Sequence, residues 1–182
     1  MWFNQGVRID WNIRINMKVL SAFGVCLFCL FFEQAPSQKD WRGLVPLKST
    51  RADVERLLGP PDVNANNELI TYYQPDTTVN TWFSTNPHCK EKLQYESWDV
   101  PADTVTSIRI GLKNPVPINE TGIDLTKFKQ VRGDSDVGGH FYYTNVEDGF
   151  SYEVGQNFLA SYIYAPGIKQ SKLRCPAINR HL

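Results

Sequence analysis

The chain has 182 residues, with 19 basic and 19 acidic side chains and a formal net charge of zero. Without a basic stripe or charge run, it carries no electrostatic footprint for nucleic acid or for an anionic lipid surface. Its length suits one ordinary domain, or two small ones that share a core.

Met17–Ser37 reads as a secretory signal peptide. Lys18 supplies a positive start, Val19 to Phe32 is almost wholly apolar, and Ala35-Pro36-Ser37 provides the small-residue exit. That apolar run falls short of the ~20 residues a membrane helix needs, so no stable span is expected after cleavage. Met1–Asn16 is polar and reads as an extension from a start assigned too early. Beyond residue 38 the chain keeps sixteen basic and seventeen acidic side chains.

Export changes the meaning of the four cysteines. Cys26 and Cys29 lie inside the apolar run, and neither sits in a lipid-attachment sequence. Cys89 and Cys175 remain for the exported chain. In an oxidising compartment, periplasmic or extracellular, two cysteines suggest one disulfide.

In chain order, Thr50 caps a helix with Asp53 three residues on, and Val54, Leu57 and Leu58 share one face. Gly59 and Pro60 end it, because glycine suits the left-handed residue after a helix and proline cannot continue one. Strand-like runs follow at Leu69–Gln74, Val79–Ser84 and Thr104–Leu112. Residues 113–123, with Pro115 and Pro117, have linker chemistry. Asp124 then caps a second expected helix over Leu125–Val131, ended by Gly133. Three more strand-like runs, His140–Thr144, Phe150–Val154 and Leu159–Tyr164, complete the pattern; Asp148-Gly149 marks a hairpin turn between the first two.

The order of elements therefore repeats. The expected fold is α+β, with two tandem units over residues 38–112 and 124–182. Each unit packs a short helix on a small antiparallel sheet of three or four strands. Tyr72, Tyr73, Trp82, Tyr142, Tyr143, Tyr152, Tyr162 and Tyr164 suit half-buried strands, and most read as sheet and core residues. Trp82, Trp98 and Tyr142 are the aromatics singled out as binding candidates.

The run Pro46–Pro61 matches a pattern x-D-V-x-x-x-L-G-x-P through Asp53, Val54, Leu58 and Gly59. It resembles the opening of BamE/SmpA-type domains, which implies a polar-capped helix followed by a small antiparallel sheet. The tandem arrangement is similar to that of β-lactamase inhibitory protein. Over Trp41–Pro176, the combination of Trp41, Trp98-Asp99-Val100-Pro101 and Leu173-Arg174-Cys175 resembles a group of exported bacterial proteins, a likeness that brings no assigned activity.

No catalytic constellation stands out. The chain lacks H-E-x-x-H, a nucleophile elbow, a P-loop and a dinucleotide fingerprint, and His88, His140 and His181 are scattered singly. Asp134, Asp136 and Asn145 do not keep a calcium-loop register and read as a solvated turn. No cofactor and no metal is implied. The expected function is a non-enzymatic exported module that binds a protein or another cell-envelope component. The competing expectation is an envelope hydrolase that uses Glu96, Asp99 and Asp103, carboxylates close to Trp98 in sequence.

Overall fold

A computed structural model describes residues 38–176, apart from residues 65, 92–96 and 134–138. The expected early start, the signal peptide with Cys26 and Cys29, and residues Glu96, Asp134, Asp136 and His181 lie outside the described residues.

Eight strands form one antiparallel sheet: β1 (Val63–Asn64), β2 (Leu69–Tyr73), β3 (Thr77–Phe83), β4 (Val105–Pro117), β5 (Lys129–Arg132), β6 (His140–Asn145), β7 (Phe150–Gly155) and β8 (Phe158–Tyr164). Their spatial order is β1-β2-β3-β4-β8-β7-β6-β5. Consecutive strands are joined as meanders on each side, and β4 pairs with β8 at the centre through Ile108↔Tyr164 and Ile110↔Tyr162. Residues 113–117, at the start of the expected linker, are the far end of β4. Pro115 falls within the register shift between Gly111 and Val116, where no ladder bond is asked of it.

The expected pair of helix-on-sheet units is thus corrected. Among the described residues there is one α-helix, α1 (Arg51–Leu58), and one continuous sheet. Asp124 does act as a cap, accepting from the Thr126 N–H at 3.2 Å, but only a 3-10 turn over Leu125–Lys127 follows. Phe128 is already extended, Lys129–Arg132 pairs with β6, and the Gly133 N–H donates to the His140 carbonyl. A seven-residue helix repays its nucleation poorly. The edge of β6 offers the last three of those residues, 129–131, a ladder instead.

The local signals around α1 hold. The Asp53 N–H donates to Thr50 Oγ1 while the Thr50 N–H donates to Asp53 Oδ2, a reciprocal capping box. At the other end the Gly59 N–H donates to the Glu55 carbonyl, at a φ of +85° that favours glycine, and Pro60 follows. Val54 points into the core with Leu44, Ile70, Tyr72, Val79, Phe83, Val105, Ile108 and Ile110, and Leu58 packs against the cluster.

A disulfide joins Cys89 to Cys175. Around it the Asp99 N–H donates to the Leu173 carbonyl and the Cys175 N–H to the Ser97 carbonyl, so the loop after β3 and the tail are stitched together.

Candidate binding face

Side chains alternate across a sheet, so register decides which residues share a surface. One row runs through six strands: Tyr72, Val79, Ile110, Tyr162, Tyr152 and Tyr143. Its first three members are buried in the core beneath α1. Tyr162 and Tyr164 pack against the edge of that core, and beyond them Tyr152 and Tyr143 are half-buried. No second α-helix covers this half among the described residues.

In the place of a helix stands a cluster of rings. Tyr152 meets Phe128, Phe150 and Tyr162 edge-on at centroid distances of 5.0, 4.8 and 5.9 Å, and Phe150 meets Tyr164 at 4.9 Å. Such tilted pairs bring the positive ring edge to the negative ring face. Lys39 Nζ lies 4.6 Å from the Phe150 centroid, and Gln38 Nε2 donates to the Ala165 carbonyl, so residues 38–40 cross one end of the cluster. Burial raises the Tyr152 and Tyr164 phenols above their ordinary range, with smaller contributions from neighbouring tyrosines. At neutral pH they are uncharged hydrogen-bonding groups on an apolar surface.

The opposite face is polar and centres on a buried carboxylate. Glu153 Oε2 accepts from Ser161 Oγ at 2.5 Å and from Arg109 Nη2, while Arg109 Nε donates to Ser161 Oγ at 3.3 Å. His140 Nδ1 is 3.6 Å from the other Glu153 oxygen. The imidazole lies flat on Gly155, where a Cβ would come within 2.7 Å of the ring. It lines a cavity of about 430 Å³ with Pro115, Gln156 and Phe158. Ser161 is fully buried and its hydroxyl is committed to Glu153, so it is out of reach as a nucleophile. This arrangement satisfies a buried charge, as such groups require.

The aromatics singled out in the sequence do not come together. Trp82 on β3 and Tyr142 on β6 both belong to the polar face, but four strand spacings, about 19 Å, separate their strands. Trp98 lies at the tail, with the Arg174 guanidinium 5.2 Å from its ring. Asp99 is 3.2 Å from His88 Nδ1, and Asp103 pairs with Arg51 at 2.8 Å; both carboxylates are exposed and each has its own cationic or imidazole neighbour. Among the described residues no group of three or more His, Cys, Asp or Glu side chains could hold a metal, and no helix is long and apolar enough to cross a membrane.

Sequence reasoning named Tyr72, Tyr143, Tyr152 and Tyr162 as half-buried strand residues without bringing them into one row, and it overlooked the Glu153 cluster. The period-two runs Phe150-Ser151-Tyr152-Glu153-Val154 and Ala160-Ser161-Tyr162-Ile163-Tyr164 held the signal. They put the rings on one face and Glu153 with Ser161 on the other, once the two runs are paired.

No family model matches the chain, and no curated protein does. Among solved structures, it is similar to a DUF4309 family protein (YjgB) from Bacillus subtilis, with 15% identity over 72% of this chain and 86% of that one, at a TM-score of 0.42. At that distance the likeness assigns no activity.

Proposed function

We propose that the protein is an exported, non-enzymatic module that binds a protein or another envelope component through the tyrosine-bearing face of its sheet. The observation that carries this reading is the half-buried row Tyr143, Tyr152, Tyr162, which continues the core row but has no helix above it among the described residues. Tyrosines supply a rigid, amphipathic contact area at low conformational-entropy cost, which is why they anchor protein interfaces. The Cys89–Cys175 disulfide supports the exported setting, since such bonds persist in oxidising compartments. The BamE/SmpA-type resemblance of residues 46–61 belongs to the same proposal. A hydrolase built on Asp99 and Asp103 lacks support, because each carboxylate is exposed and held by a different partner.

The test is affinity capture from envelope extract with the disulfide-bonded protein, run beside a Tyr143→Ser variant, which leaves in place Tyr162, packed against the core edge and on Tyr152. A partner retained by the wild type and lost by the variant is expected. Equal recovery by both, or no retained partner, sinks the proposal.

A further inference from the structure

Beside α1, a cleft of about 520 Å³ opens between the helix and residues 42–49, within the range typical of small-molecule sites. Arg42, Lys48 and Arg56 line it, against a single carboxylate, Asp53. Arg56 already pairs with Asp53 at 2.6 Å. The Arg42 guanidinium stacks 5.1 Å from the Trp41 ring and meets no carboxylate, and Lys48 has no side-chain partner among the described residues. Among the described residues, two cations therefore line the cleft uncompensated. Leu57, 41% exposed, and Val45 supply an apolar wall.

The loop that presents them is held in an uncommon shape. Arg42 and Leu47 have φ values of 52° and 61°, left-handed conformations that bulky side chains seldom adopt. The turn persists because Trp41 and Leu44 exchange both backbone hydrogen bonds, Asp40 accepts from the Gly43 N–H, and the Leu47 N–H donates to Val105. Strain of this kind gathers at ligand clamps, where surrounding contacts over-determine it. Here it holds the turn that sets Arg42 on the same cleft as Lys48.

We propose that this cleft binds a small soluble ligand that joins an oxyanion, phosphate or carboxylate, to an apolar body. Arg42 and Lys48 take the oxyanion, a guanidinium suiting its paired oxygens, and Leu57 and Val45 take the apolar part. Two free cations are too few to serve a nucleic-acid backbone, whose binders neutralise many phosphates.

The test is a titration of the ¹⁵N-labelled, disulfide-bonded protein with phenyl phosphate, with benzoate and with uncharged benzyl alcohol. Saturable amide shifts confined to residues 42–49 and 53–57 are expected with at least one anion, the two arms showing which oxyanion is preferred, and none with the alcohol. High salt weakens them. Arg42→Asn keeps a residue that tolerates the left-handed backbone, and Lys48→Gln alters an unpartnered side chain, so both variants retain the wild-type unfolding midpoint. Each is expected to weaken the preferred anion by about tenfold, the loss of one charged hydrogen bond. The proposal is overturned if neither anion gives saturable shifts in the millimolar range, if the alcohol binds as well, or if both variants bind like the wild type.

Discussion

Tyr152 on β7 stands directly opposite Tyr162 on β8, their ring centroids 5.9 Å apart and their planes inclined at 63°. Through Ile110 and Val79 the same register row reaches Tyr72, which is fully buried. One row thus serves as core under α1 and as a half-open aromatic surface beyond it. Because Tyr152 touches three other rings, Tyr152→Ala should destabilise the fold by about 2–3 kcal/mol, less than a fully buried aromatic would. Tyr152→Phe should stay within about 0.5 kcal/mol, since the ring contacts remain. Urea unfolding at neutral pH reads both.

The same tyrosines set the alkaline limit. Tyr72, Tyr152 and Tyr164 are raised first of all by burial. In the unfolded chain these phenols ionise near about pH 10, whereas the fold keeps them protonated, so above that pH the folded state binds more protons. Stability is therefore full below about pH 10 and falls as pH rises toward the folded values. Thermal midpoints across this range should decline, and Tyr164→Phe should shallow the decline.

At the acid end the sign reverses. Asp53 is lowered chiefly by the Thr50 N–H, then by the Thr50 hydroxyl and by Arg56. Its contribution is present above the unfolded value, about 4, and is lost as pH falls through the lower folded value. Thr50→Ala should cost about 1 kcal/mol at neutral pH by removing the cap. Helical signal from α1 in the variant should also fade at a higher pH than in the wild type.

Glu153 is buried and is compensated by Arg109 and Ser161 across strands. Glu153→Gln should cost about 2–3 kcal/mol, below the full cost of orphaning a buried charge because Arg109 is partly exposed. Replacing the whole cluster, Arg109→Met and Glu153→Met with Ser161→Ala so that no buried hydroxyl is orphaned, should recover more than half of that loss. A double-mutant cycle in urea measures the coupling; additive single effects would show that the pair is not coupled.

The Cys89–Cys175 bridge spans 86 residues of sequence. In the chain-entropy account it stabilises by about 4–5 kcal/mol, so a Cys89→Ser/Cys175→Ser variant should unfold at markedly lower denaturant. Amide exchange should accelerate first at Asp99 and Cys175, whose N–H groups donate to the tail and to the loop it clamps.

Helix α1 was legible because everything that defines it lies within eleven residues: the Thr50–Asp53 box, Val54 on the inner face, and Gly59-Pro60 at the exit. Asp124 gave an equally local signal and misled, because whether residues after it coil or extend depends on β6, eight or more residues further on. The aromatic face could not be read from spacing alone. Tyr143, Tyr152 and Tyr162 become neighbours only through pairing, and Glu153 finds Arg109 across 44 positions.

By itself the sequence determined six of the eight strand-forming runs, the position and caps of α1, and the availability of Cys89 and Cys175. These follow from short-range sterics, hydrogen bonding and side-chain chemistry. Only the tertiary structure decided that β4 and β8 fuse two meanders into one sheet, that the second half exposes rings where a helix was expected, and that Arg42 and Lys48 face α1 across a cleft. Those outcomes turn on register and long-range pairing, where a shift of one residue would move every side chain to the opposite face.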